Sequence, residues 1–272
     1  MGLAFVGIRS AGKTFSPAAL SLGRLLAGAV LLLGITAVRG ELRPPRGELL
    51  AAAPAFLLCG LLWFAAYSVA LNAGERRVDA GTAAMLIGVG PILVAVLAGL
   101  FLREGFPRTL LAGCAVAFGG VAVIGIATSN GGSTATGVAL CVLAACSYSA
   151  AVILQKSVIG RLTALQTTLV CCVIGALACL PFAPQLGREL GHAGAGPIAW
   201  TLYLGAFPTA IAFTTWAFAL ARTSAGSLVA TTYLVPPLSV LLGWLLLSES
   251  PPALALAGGA LCLAGVAVVR RG

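Results

Sequence analysis

The chain has 272 residues, of which 60% are hydrophobic and only 8% charged, against about 25% charged in an ordinary soluble domain. That balance excludes a water-soluble globule. The net charge of +9 does not indicate nucleic acid, because the sixteen basic residues are scattered singly or in pairs between apolar runs instead of covering one face.

A membrane span needs about 20 apolar residues, so with short connections this length holds about nine or ten crossings. In chain order, Gly2 to Ile8 forms a seven-residue apolar run, about 10 Å of a ~30 Å hydrocarbon core. It reads as the tail of a first span. Only Met1 precedes it and no small-residue cleavage pattern follows, so the N-terminus is expected to stay attached. Gly7 to Thr14 then spells G-x-x-x-x-G-K-T. A phosphate-cradling loop needs a βαβ sheet and a second acidic residue for magnesium. Asp79 is the only aspartate, so no nucleotide site is expected.

Nine full spans follow, at about 16–38, 49–72, 79–102, 108–128, 136–155, 164–183, 197–221, 225–247 and 252–269. Their polar and aromatic interior residues are the candidate substrate contacts. Arg24 is a cation inside a span, which costs about 2.5–3.5 kcal/mol on insertion scales when central and less when it snorkels. Trp63 and Tyr67 follow, then Tyr148 between Ser147 and Ser149, then Trp216 with Thr209, Thr214 and Thr215, and last Thr231, Thr232 and Tyr233. Aromatic rings and hydroxyls around a cavity suit a small amphipathic solute, although packing is the default role of each taken singly. All eight cysteines lie in apolar runs without paired C-x-x-C spacing, so no metal or redox site is expected.

Sliding the chain by 145 residues lays Asp79–Val123 on Ser224–Val268 with 17 of 45 positions identical. Pro91 meets Pro236, Glu104 meets Glu249, Pro107 meets Pro252 and Gly120-Val-Ala-Val meets Gly265-Val-Ala-Val. Upstream the offset becomes 149, then 147, pairing Ser16 with Thr163 and Gly28 with Gly175. The chain therefore reads as two five-span units, 1–130 with an incomplete first span and 131–272. An odd number of spans per unit inverts the second copy relative to the first. Loop charges divide ten to five, the richer side holding Arg270 and Arg271, which predicts a cytoplasmic C-terminus. Pro91 and Pro236 break their helices at matching depth and are the expected hinges, freeing the carbonyls of Ile87 and Thr232. Glu104 and Glu249 sit where a carboxylate can cap a helix N-terminus.

Ser16-Pro17 followed by Arg24-Leu-Leu, and in each half the run Ala-Gly, central Pro, Glu, Pro, Gly and Gly-Val, resemble the EamA-type members of the drug/metabolite transporter superfamily. The resemblance covers almost the whole chain. It implies an all-α, ten-span, inverted-repeat (5+5) carrier lodged in the bilayer, with a central cavity open alternately to each side. The implied function is movement of small metabolites or drug-like compounds across the plasma membrane, in the direction of export, with no enzymatic activity and no cofactor. Two other readings stay open: a lipid or lipid-carrier translocator using Arg24 for a head group, and a membrane subunit that does not itself transport.

Overall fold

The computed structural model of the protein describes residues 7–8, 10–78, 80–128, 134–238, 241 and 253–271. Every regular element among the described residues is helical. The principal helices are α1 (Pro17–Val38), α2 (Ala53–Gly74), α3 (Ala80–Gly88), α4 (Gly90–Phe101), α5 (Arg108–Thr128), α6 (Ala135–Val158), α7 (Ala164–Cys179), α8 (Ala183–His192), α9 (Ala195–Leu220), α10 (Ala225–Ala230) and α11 (Ala253–Arg270). Both α2 and α9 contain a π-helical stretch, Gly60–Tyr67 and Gly205–Ile211.

Seven described helices are long and apolar enough to cross a membrane: α1, α2, α5, α6, α7 continued through α8, α9 and α11. The expected span 79–102 is not a single long helix, and of 225–247 the described residues 225–238 and 241 show an interruption after Ala230; proline is the common factor. Pro91 has no N–H to give, and the amides of Ile92 and Leu93 both fall back on the Val89 carbonyl at 3.1 Å. The chain therefore restarts as α4. In the second half, α10 passes into a tight turn at Thr231–Leu234 ahead of Pro236. Glu249 and Pro252 lie outside the described residues, as does Asp79.

The helix starts follow local chemistry. Ser16 caps α1 by accepting the Ala19 N–H at 3.4 Å, with Pro17 opening the first turn. Thr163 and Gln166 form a reciprocal capping box on α7. Gly40 and Gly160 come just after α1 and α6 at φ +69° and +97°, a conformation in which a side chain would be strained.

The chain divides into two compact units, each drawing on both sequence halves. Ala4–Asn72 joins Leu154–Arg222, here the Arg24 unit. Ala73–Ile153 joins Thr223–Gly272, here the Pro91 unit.

In the Pro91 unit α5 and α11 pack antiparallel at backbone contact. A Cβ placed on Gly113 would lie 2.6 Å from the Gly265 carbonyl, and one on Gly265 would lie 2.5 Å from the Gly113 carbonyl. Further along, Gly120 and Gly258 oppose each other in the same way at 2.5 and 2.7 Å. Glycine permits this approach because lipid gives no hydrophobic drive between helices and contact must come from close packing. The Cys262 thiol donates to the Ala117 carbonyl at 3.4 Å. Cys262 and Ala117 are 145 residues apart, as are Gly113 and Gly258, and Gly120 and Gly265.

In the Arg24 unit α1 and α7 are likewise antiparallel. Ser16, at the start of α1, donates its N–H to Glu189, which lies beyond the end of α7, at 2.9 Å. Thr163, at the start of α7, donates its hydroxyl to Glu41, which lies beyond the end of α1, at 2.6 Å. Midway, the Cys172 thiol donates to the Leu25 carbonyl at 3.4 Å, across 147 residues. The faces turned away from these contacts are apolar, with Val30 70% and Val38 89% exposed, as befits surface solvated by acyl chains.

Candidate functional site

Arg24 stands two turns into α1, about 10 Å from the helix start by helical rise, and is only 5% exposed. Its Nε donates to Thr209 Oγ1 at 3.3 Å, and that hydroxyl in turn donates to the Leu204 carbonyl at 2.9 Å. The five-residue reach matches the π-helical stretch of α9. Two glycines let α1 and α9 meet here. A Cβ on Gly205 would sit 2.6 Å from the Arg24 carbonyl, and one on Gly28 would sit 3.0 Å from Thr209 Cγ2.

Phe213 and Trp216 lie one and two turns beyond Thr209 on the same face of α9. Trp63, from the π-helical stretch of α2, packs 5.1 Å from Phe213 and edge-on at 5.9 Å from Trp216. Phe64 stands edge-on to Phe213 at 5.1 Å. Four rings thus cluster in the separation range where aromatic pairs attract beyond their buried area. Tyr67, at the end of the same stretch, is half-buried. A buried cation and an aromatic cluster therefore occupy one face of α9, about 10 Å apart by the rise from Thr209 to Trp216.

The Pro91 unit holds the remaining sequence candidates. Tyr148 flanks the helix break, where a Cβ on Gly90 would lie 3.1 Å from its ring, and Ser149 donates to the Gly90 carbonyl at 3.2 Å. Besides the Ile87 carbonyl, which Pro91 has no N–H to serve, the break frees the Gly88 carbonyl, and the Tyr233 hydroxyl donates to it at 2.8 Å. These two residues are 145 apart, so the two proline-bearing segments touch at repeat-equivalent positions. Tyr233 is 1% exposed, among Ala95, Cys114, Ala117, Ala230 and Cys262. Thr231 and Thr232 turn their hydroxyls back to the Leu228 and Val229 carbonyls at 2.6 and 2.7 Å. Pro236, three residues on, is half-buried. Glu104 accepts the Ala225 and Gly226 amides at 2.9 and 3.3 Å, capping α10 from the other sequence half.

Tyr233→Phe strips the bond from the part-buried Gly88 carbonyl. A buried acceptor left unpaired costs about 1–3 kcal/mol. The expected result is a thermal midpoint several degrees lower in detergent, measured by fluorescence-detected size exclusion, with little loss of yield.

The phosphate-loop lettering at Gly7–Thr14 has no matching geometry. Gly12 donates to Ile8, and Thr14 and Phe15 both donate to Ala11, at 2.7 to 3.0 Å. Those amides are spent on a helix end and do not form an anion cradle. Sequence reasoning overlooked Phe64 and Phe213 as ring partners and the bond from Arg24 to Thr209. The spacing of Thr209, Phe213 and Trp216 at i, i+4 and i+7 was the available signal.

Comparison with known proteins points the same way. The EamA-like transporter family profile matches residues 1–126 and 135–271. The chain is 38% identical over 269 residues, 98% of its length and 89% of the relative's, to a Streptantibioticus cattleyicolor protein named "Probable terminal-alkyne amino-acid exporter". It is 33% identical over 263 residues, 97% of its length and 85% of the relative's, to the Bacillus subtilis uncharacterized transporter YdfC. A protein crystal structure at 19% identity superposes with a TM-score of 0.77 over 98% of this chain and 96% of that one, a likeness of fold.

Proposed function

Because the chain belongs to the EamA-like transporter family, we propose that it is a plasma-membrane carrier exporting small amphipathic amino acids by alternating access. The observation that carries this reading is the buried Arg24 on one face of α9 with the Trp63, Phe213 and Trp216 rings. A guanidinium suits a carboxylate, with a planar fork that binds it in two places. The rings suit a short apolar side chain about 10 Å away at most. The relative named as an exporter of terminal-alkyne amino acids supports both the substrate class and the direction.

The carrier is read as ten spans in two inverted halves, 1–130 and 131–272. The antiparallel packing of α5 on α11 and of α1 on α7, at positions 145 and 147 residues apart, supports inversion. The charge balance of the loops supports a cytoplasmic C-terminus. Recognition is assigned, within the Arg24 unit, to Arg24, Trp63, Tyr67 and Trp216, while Tyr148, in the Pro91 unit, is assigned to the helix break. Tyr233, Thr231 and Thr232 are assigned to holding the broken segments, since their hydroxyls already have backbone acceptors.

Proteoliposomes loaded with a labelled terminal-alkyne amino acid or L-norvaline should show saturable flux, and labelled phospholipid should not flip faster than in empty vesicles. Lipid flipping without amino-acid flux would replace this reading with a head-group translocator. Pro91 and Pro236 act as hinges in it. Pro91→Ala restores the missing amide and lets α3 run into α4, so transport should fall about tenfold while folded yield stays within a factor of two. An equal fall in both would make the break purely structural.

A further inference from the structure

We infer that Thr209 is the residue that positions Arg24 for the substrate carboxylate. The inference rests on the reading of Arg24 as the carboxylate anchor and adds a residue to it. Thr209 is completely buried, and its one hydroxyl does two things: it gives its proton to the Leu204 carbonyl and offers its lone pair to Arg24 Nε. A guanidinium has donors only, so an acceptor at Nε fixes the plane of the fork. The terminal nitrogens, which make the bidentate contact with a carboxylate, are then oriented before substrate arrives.

The two sequence halves differ at this point in a telling way. Arg24 corresponds to Cys171 at the 147 offset, and Thr209 to Gly60 at the 149 offset. The same close approach exists there, where a Cβ on Gly60 would lie 2.9 Å from the Cys171 carbonyl. One scaffold therefore carries a cation with its hydroxyl partner on one side, and on the other a bare glycine against the Cys171 backbone, with the Cys171 thiol turned to the Phe56 carbonyl at 3.9 Å. Packing alone is satisfied by the second version. The polar version buries a cation and fills space that the neighbouring Gly28 keeps open, a Cβ on Gly28 falling 3.0 Å from Thr209 Cγ2. Both α1 and α9 are shaped around this pair, and selective recognition is what it adds.

The test is transport kinetics in proteoliposomes with L-norvaline and its carboxamide. Thr209→Val keeps the shape and removes the acceptor. It should raise the KM for L-norvaline about fivefold or more with Vmax within a factor of two, and leave competition by the carboxamide unchanged. Thr209→Ser should restore the KM to within twofold of the original. An unchanged KM in Thr209→Val, or failure of Thr209→Ser to rescue, would overturn the inference. Should Thr209→Val not fold, Thr209→Ala, which removes the acceptor without adding bulk, gives the second reading: a raised KM supports positioning and a normal one overturns it. Arg24→Ala, run alongside, separates the two levels. Normal L-norvaline transport in that variant defeats the amino-acid reading itself, whereas a defect there with a normal Thr209→Val defeats only the role of Thr209.

Discussion

Gly120→Leu is expected to abolish recovery of monodisperse protein, while Gly119→Leu, one residue away, leaves it at the unsubstituted level. A Cβ on Gly120 would lie 2.5 Å from the Gly258 carbonyl and 2.6 Å from the Cys262 amide, whereas one on Gly119 meets nothing within 4 Å. The obstacles at Gly120 are backbone atoms, which cannot rotate away as a side chain can. The helices α5 and α11 must separate, and the buried layer of Cys114, Ala117, Val121, Ile124, Cys262 and Val266 loses contact along its length. Overpacking of a close-fitted core ordinarily costs about 1–3 kcal/mol, and a rigid double contact belongs at or above the top of that range. Size-exclusion profiles of fluorescent fusions in mild detergent read the outcome. Gly265→Leu should behave as Gly120→Leu, because the two glycines occupy equivalent places and each presses on the partner helix. A monodisperse Gly120→Leu would mean that α5 and α11 are not in backbone contact.

Arg24→Ala should reduce the apparent affinity for L-norvaline by about 10- to 100-fold. A hydrogen bond to a charged group contributes about 1.5–3 kcal/mol, and each 1.4 kcal/mol is about a factor of ten. Arg24→Lys keeps the charge and loses the planar fork, so its affinity should fall between the two. Arg24→Ala should not lose much folded protein, since removing a cation from a membrane interior relieves a desolvation penalty even as it forfeits the Thr209 bond. The carboxamide analogue is the control, because it lacks the charge that Arg24 is held to recognise. Equal loss for acid and amide would make Arg24 a packing element of α1.

The duplicated Pro91 and Pro236, Gly113 and Gly258, and Gly120 and Gly265 were legible in the sequence because prolines and glycines are rare anchors within apolar runs. The offset they define reappears as contacts, Tyr233 on the Gly88 carbonyl and Cys262 on the Ala117 carbonyl. The broken helix was legible too, and with it the Ile87 carbonyl that Pro91 cannot serve, but not the Gly88 carbonyl, which is left as well because Ile92 turns back to Val89. The π-helical stretches were not legible, since nothing in the spacing of Gly60–Tyr67 or Gly205–Ile211 distinguishes them from ordinary helix. Nor was the bond from Arg24 to Thr209, which joins residues 185 apart through an approach that Gly28 and Gly205 permit. Glu104 was legible as a cap, but not as the cap of a helix 121 residues downstream.

The crossed clasps of Ser16 on Glu189 and Thr163 on Glu41 bear on how the molecule is made. The amide of Ser16 meets its acceptor only after 173 more residues have been polymerised, roughly 10 to 35 s at ribosomal speed. During that interval the early segments sit in the translocon or lipid with unfinished ends, and completion is a late zippering event. Separately expressed polypeptides covering 1–130 and 131–272 should consequently reassemble in one cell, each supplying the fastener that the other lacks.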